Sequence, residues 1–309
     1  MSGTPARTSL DHSDVHGAAG LFALSSFIWG STWLAITFQL GHVAPEVSVA
    51  YRFALAALML GGWCIVRGRS LRLAPRVHVM LAAQGALMFG LNYVAIYKAE
   101  QHIASGLVAV LFSTIVFTSL IATRIAFGTP ITARALIGAT LGVGGVALLF
   151  LPQLAAAAEG AQPIAGIGYA LLGTALATGG NLVSMRMQGQ HLPILPTTAL
   201  GMAYGAIFAA VIATILGVPW TFEWNARYIA SLLYLAFFGS VIAFGAYLTL
   251  LQRVGAGPSS YIAVTTPVLA MLLSSAVEGY RWTTTGGIGV VLAVAGNVLV
   301  LRRPRDRRP

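Results

Sequence analysis

Charge is what this chain has least of: 8% of its 309 residues are Asp, Glu, Lys or Arg, against the roughly 25% of an ordinary soluble domain. So few charges cannot cover a soluble surface. The 57% of residues that are hydrophobic fall instead in runs of about 20 between short breaks, the length that spans a bilayer's hydrocarbon core. Acid is scarcer than base. The eight carboxylates, Asp11, Asp14, Glu46, Glu100, Glu159, Glu223, Glu278 and Asp306, lie near predicted helix ends or in tails, whereas a proton-driven antiporter commonly uses one at mid-membrane. Cysteine occurs once, as Cys64 in an apolar run, which excludes an intrachain disulfide and a cysteine-rich metal site. There is no HExxH, no GxxxxGK[ST], and no span that pairs Ser, Cys or a carboxylate with His. An intramembrane hydrolase and an ATP-driven pump therefore lack their machinery, and neither a metal nor a cofactor is expected. The loops are too short for a channel's pore loop.

What is present is a pattern of apolar runs bounded by charged, Pro or Gly-rich breaks. It predicts an all-α integral membrane protein with helices near 18–39, 46–66, 77–99, 103–123 and 132–151, then near 165–186, 196–217, 228–251, 256–277 and 283–301. The net charge of +10 resembles the footprint of a nucleic-acid binder, but the arginines sit at helix ends, where they orient a membrane protein. Ten helices put both termini on one side. That side then holds Arg7, Arg67, Arg69, Arg72, Arg76, Arg124, Arg134, Arg186, Arg253 and the five terminal arginines, while the other holds Lys98, Arg227 and Arg281. This bias places both termini in the cytoplasm. The first sixteen residues lack the regions of a cleavable signal and read as a loose tail.

A shift of 151 residues aligns Pro45 with Pro196, Gln101 with Gln252, Gly106 with Gly257, Thr114 with Thr265, Gly128 with Gly279, Thr132 with Thr283, Gly138 with Gly289 and Gly145 with Gly296. The chain accordingly divides into a cytoplasmic tail (1–16), two five-helix repeats (17–152 and 163–303) and a basic cytoplasmic tail (304–309). An odd number of helices per half inserts the halves in opposite orientations, the plan that puts a binding site near the membrane midplane.

Helix one carries IWGSTW (Ile28 to Trp33), helix two AYRFALAALML (Ala50 to Leu60), helices three to four YKAEQHIASGLVAVLFS (Tyr97 to Ser113), and the second half GAGPSSYIAVTTPVLAMLLSSAVEG (Gly255 to Gly279) before a Gly-spaced last helix. From Gly17 to Arg303 the chain resembles the EamA family of the drug/metabolite transporter superfamily, bacterial inner-membrane proteins with two five-helix repeats, and it is similar to the YddG-type aromatic amino acid exporters. The resemblance implies a central cavity surrounded by helices one to four and six to nine, with helices five and ten peripheral. It implies a transporter of small metabolites by alternating access. Amino acids are the expected substrate class; drugs, sugars, nucleobases and organic cations are the alternative. One departure is visible. Family halves often end helix four with Gly-Glu, but the first half here has Phe127-Gly128 where the second keeps Glu278-Gly279.

Candidate site residues follow from polarity inside the spans. Arg52 is the one ionisable group well inside a helix; it either holds a substrate carboxylate by paired hydrogen bonds or snorkels to the outer phosphates. Its repeat partner is Ala203. Trp29 and Trp33 share a face of helix one with Ser25 and Thr32. Gln84 and Asn92 in helix three must find protein partners or a wet cavity. Tyr97 ends that helix. Phe237, Ser240, Phe244 and Tyr247 form a stripe on helix eight that serves as an aromatic wall or as packing. Thr265 and Thr266 precede Pro267, whose missing N–H loosens helix nine as a hinge or a fixed bend. The glycines of helices five and ten allow close packing within the chain or between two copies, so monomer and homodimer are both open.

With no carboxylate at mid-membrane, transport is expected to be facilitative or coupled to something other than protons. Adding substrate to proteoliposomes loaded with a pH-sensitive dye should leave the internal pH unchanged; a reproducible substrate-driven acidification or alkalinisation contradicts this.

Overall fold

In the computed structural model, which describes residues 12–157, 163–188, 190, 192–254, 259 and 261–301, the regular elements are all helical. They are α1 (His12–Thr37), α2 (Pro45–Val66), α3 (Pro75–Glu100), α4 (Ser105–Phe127), α5 (Ala133–Ala157), α6 (Pro163–Gln188) and α7 (Ile194–Ile215). Then come α8, made of Ala226–Leu233, Tyr234–Ile242 and Ala243–Val254, α9 (Ile262–Val277) and α10 (Thr284–Leu301). Eight of these, all but α6 and α9, are long and apolar enough to cross a membrane. Helix α9 is apolar but shorter at 16 residues, and α6 has the length at 26 residues but is less apolar, carrying Gly, Thr and Asn181. The protein is an all-α, multi-span membrane protein. Residues 12–16, expected in the tail, are the first turn of α1, since no proline interrupts the run into Gly17; residues 1–11 and the basic tail 304–309 lie outside the described residues.

The helix ends have local causes. Pro45 and Pro75 open α2 and α3 at the first helical position, where a missing N–H costs nothing. Asn225 caps α8 by accepting from the Tyr228 N–H at 2.7 Å. Gly128 and Gly279, paired by the 151-residue shift, both adopt the left-handed conformation past α4 and α9, with φ of 69° and 71°.

Three interruptions break the regular ladder. Helix α3 is π-helical over Gly85–Leu91, and α8 over Tyr234–Ile242. Helix α4 turns out of register at Ser113 and Thr114, whose hydroxyls donate back to the carbonyls of Val110 and Leu111 at 2.7 and 2.6 Å. Such back-bonding competes with the helix's own bonds. The two π-helical stretches occupy corresponding places in the two halves.

Helix α1 begins beside the end of α8 and the start of α9, where Ala18 packs with Leu250 and Ile262. We call this the near end and its opposite, where α2 begins and α3 stops, the far end. Helix α2 lies along α7 and α5 along α10; α1 packs on α9 as α6 packs on α4, and α3 on α6 as α8 on α1. The α5–α10 seam is drawn tight by glycine. A Cβ on Gly296 would come within 2.4 Å of the Gly138 carbonyl, and one on Gly145 within 2.5 Å of the Gly289 carbonyl. Of the two roles open to these glycines, Gly138, Gly145, Gly289 and Gly296 serve packing within the chain. Gly144, on the same helix, has open space around it.

Gly296→Ala should therefore lower stability in detergent by ~1–3 kcal/mol, several degrees in midpoint, because backbone rather than a flexible side chain blocks the added methyl. Gly144→Ala should not lower it. Fluorescence-detected thermal unfolding of the two variants checks both.

Candidate functional site

The interruptions converge on one cavity of about 570 Å³, within the range of small-molecule sites. From the π-helical part of α3 come Met88 and Phe89, from the break in α4 Phe112 and Ser113, and from α9 Thr266 and Pro267; α1 contributes Trp29, Thr32 and Trp33, and α8 Phe244 and Tyr247. Thr123, Val300 and Leu301 line it toward the near end. Among the described residues, seven that line it are aromatic and none is charged. The rings interlock: Trp29 meets Phe244 at 5.2 Å and Tyr247 at 5.3 Å between centroids, and Trp33 meets Phe112 at 5.3 Å. The Trp29 indole N–H donates to the Gly239 carbonyl at 3.1 Å, tying α1 to the π-helical part of α8. Polar atoms are few. The Asn92 amide donates to the Met88 carbonyl at 3.2 Å while its oxygen has no partner, and the Thr266 hydroxyl has none.

Of the residues singled out from sequence, Trp29, Trp33, Asn92, Phe244, Tyr247 and Pro267 line the cavity; Arg52, Gln84, Tyr97, Ser240 and Thr265 do not. Gln84 donates to the Ser184 hydroxyl at 2.7 Å, joining α3 to α6. Thr265 donates to Ser26 at 2.9 Å, joining α9 to α1, and leaves the wall to Thr266. Ser240 bonds the Leu235 carbonyl of its own π-helical turn. The stripe on α8 is also broken: Phe237 is 40% exposed and faces away, because the wider turn resets the 3.6-residue spacing. Helix α9 runs through Pro267 without interruption. Asn181, missed from sequence, lines the cavity from α6. Its signal was the one used for Gln84 and Asn92, an amide in an apolar helix.

Arg52 does not snorkel. It is 1% exposed, with Nε and Nη1 unpartnered. Its guanidinium stacks 4.5 Å from the centroid of Tyr93, a lining residue, and 5.1 Å from that of Phe53. Behind it lies Tyr97, fully buried, its hydroxyl facing the guanidinium. Glu100 is also buried, with both carboxylate oxygens unpartnered, and feels the charges of Arg52 and Glu278.

Polar contacts cluster at the far end. Lys98 pairs with buried Glu46 at 2.7 Å. Gln39 donates to the Tyr228 carbonyl at 2.9 Å and the Ser231 hydroxyl at 2.6 Å, and Ser48 meets the Tyr228 hydroxyl at 3.0 Å. Glu278 accepts from both the N–H and the hydroxyl of Ser105. His78 bonds the Tyr204 hydroxyl at 2.9 Å and His102 stacks on Tyr169.

A family model, that of the EamA-like transporter family, matches residues 17–151 and 165–302. The chain is 28% identical over 294 residues to the uncharacterized inner membrane transporter YedA of Escherichia coli K12, covering 92% of each chain. It is 28% identical over 296 residues to the uncharacterized transporter YvbV of Bacillus subtilis, covering 93% of this chain and 92% of that one. With protein PagO of Salmonella typhimurium it shares 22% over 284 residues, 91% of each. None of these three names carries a substrate. A crystal structure 17% identical superposes with a TM-score of 0.66 over 92% of this chain and 96% of its own, which shows the shared fold.

The cavity makes a chemical prediction. In a Cys64→Ala background, Ser113→Cys should react readily with a water-soluble maleimide in detergent, while buried Cys64 of the native chain should not. Mass spectrometry of the intact protein reads both; a Ser113→Cys variant that stays unlabelled means that the cavity is closed to water.

Proposed function

The chain belongs to the EamA-like transporter family and is a membrane transporter of small molecules rather than an enzyme, and from that premise we propose that it moves amino acids by alternating access. One observation carries this reading: a guanidinium buried in a membrane protein, two of its nitrogens without partners, one aromatic ring behind the wall of an aromatic cavity. A buried charge left uncompensated is expensive. A substrate carboxylate supplies paired, charge-assisted hydrogen bonds, and the rings of Trp29, Trp33, Phe244 and Tyr247 accommodate the apolar side chain. This is the aromatic amino acid chemistry of the YddG-type exporters.

The same reading includes ten membrane helices in two inverted five-helix halves, supported by the matched π-helical stretches and by packing that exchanges between halves. It places the near end and both termini in the cytoplasm of a bacterium, on the bias of arginines toward that end, and the protein in the inner membrane, as the name of the Escherichia coli relative has it. Pro267, in the cavity wall, serves as a hinge. The protein acts as a monomer or homodimer. A second reading, export of drugs or other amphipathic metabolites such as organic cations, sugars or nucleobases, is favoured by the lack of charge in the lining, since aromatic walls also hold cations.

Radiolabelled uptake into proteoliposomes separates the two. Phenylalanine, methionine or threonine should be transported saturably, with a loss of at least about tenfold in Arg52→Ala and a partial loss in Arg52→Lys. Movement of an organic cation or a sugar with no amino acid carried favours the second reading.

A further inference from the structure

We propose that Glu278 is the far-end gate, closing the transporter by holding the N-terminus of α4, and that the repeat-related positions at the near end carry no such pair. The proposal rests on the alternating-access reading. It starts from the helix ends. Ser105 is the first residue of α4, and its N–H is among those with no partner inside the helix. The aligned peptide dipoles make that end partly positive. Glu278, at the last turn of α9, answers both features: Oε1 accepts from the Ser105 N–H at 3.2 Å and Oε2 from the Ser105 hydroxyl. Ser105 is fully buried while Glu278 is exposed, so the carboxylate reaches in from the rim to a charge-assisted contact that water can exchange with on one side. It also joins the halves, α4 from the first and α9 from the second. The neighbouring ion pair of Glu46 with Lys98 joins α2 to α3 within the first half.

The repeat shows what the near end lacks. The 151-residue shift carries Glu278 to Phe127 and Ser105 to Ala256, so the related place has neither a carboxylate nor a hydroxyl. Phe127 is 41% exposed at the end of α4. The cavity extends toward that end, along Thr123 and Leu301. The far end thus has a closure that the repeat does not duplicate. It closes by charge on a helix terminus and sets the resting state with the near end open; it opens when the Ser105 contacts are exchanged for water.

The test reads sidedness and needs no substrate. Ser113→Cys in a Cys64→Ala background is labelled with a membrane-impermeant maleimide from each face of the membrane. The parent should react from the face that bears the termini and hardly from the other. Glu278→Gln should raise the far-face rate by about tenfold or more, as expected for losing a charge-assisted bond from one of two states. Ser105→Ala keeps the carboxylate and should shift the rate the same way by less, which preserves the test if Glu278→Gln fails to fold. Glu46→Gln breaks the pair within one half and should leave sidedness unchanged. Far-face labelling that stays at the parent rate in the Glu278 and Ser105 variants overturns the gate, as does an equal rise in Glu46→Gln, which reduces the contact to general far-end packing. Amino-acid uptake by the parent chain separately tests the reading on which the gate rests.

Discussion

Everything in this fold answers to one constraint: hydrocarbon offers no water to a backbone group that leaves its helix, so each departure from the α-helix must be satisfied on the spot. At the break in α4 the hydroxyls of Ser113 and Thr114 take the carbonyls of Val110 and Leu111. In the π-helical part of α8 the Ser240 hydroxyl takes the Leu235 carbonyl. Irregular backbone is tolerated in a membrane where protein or a wet cavity surrounds it. Here Met88, Phe89 and Ser113, from two of these stretches, line a single cavity, and the third holds Trp29 through the Gly239 carbonyl. The irregularities define the site; the regular helices, and above all the glycine seam of α5 and α10, hold it in place.

Charge is distributed as unevenly as the backbone is regular. The buried ionisable groups Glu46, Arg52 and Glu100 lie between the cavity and the far end, where Glu278 bonds Ser105, while none of the described residues lining the cavity is charged. A repeat that shares glycines at its packing crossings, such as Gly138 with Gly289 and Gly145 with Gly296, is broken in charge, Arg52 facing Ala203 across the shift and Glu278 facing Phe127. Packing can be duplicated between halves because it asks only for small residues at crossings. A substrate with one distinctive end asks for a charge on one side alone.

The helices were legible in the sequence because apolar runs and their breaks are dictated by bilayer thickness, and most observed bounds fall within a few residues of the pattern. Glycine pairs such as Gly138 with Gly289 were legible as a repeat and as a means of close packing, though not which helix each glycine meets. Which polar side chains face the cavity was not legible, and the reason is specific. Gln84 and Asn92 were read together from one helix, but the π-helical Gly85–Leu91 lies between them; Asn92 reaches the cavity and Gln84 bonds to α6. The stripe on α8 failed at Phe237, beside the matching π-helical stretch. A spacing argument assumes 3.6 residues per turn, and both failures fall where the chain abandons that number. The neighbourhood of Arg52 was hidden for a different reason, since its partners Tyr93, Tyr97 and Gly239 come from α3 and α8 and meet it only on folding.

If Arg52 holds a substrate carboxylate as proposed, the ring of Tyr93, stacked on the guanidinium and lining the cavity, sets what the site can distinguish. Stacking on an aromatic face compensates a desolvated cation by about 2 kcal/mol, less than the paired bonds that a carboxylate offers the same guanidinium. An anion that displaces the ring from between them therefore gains, while a cation meets the aromatic wall and is repelled by the charge behind it. A neutral solute has nothing to exchange for the stack and leaves the ring where it is. On that proposal, selectivity comes from a buried charge covered by one aromatic side chain, so that the carboxylate end of a substrate, and not its apolar end, is what the site reads.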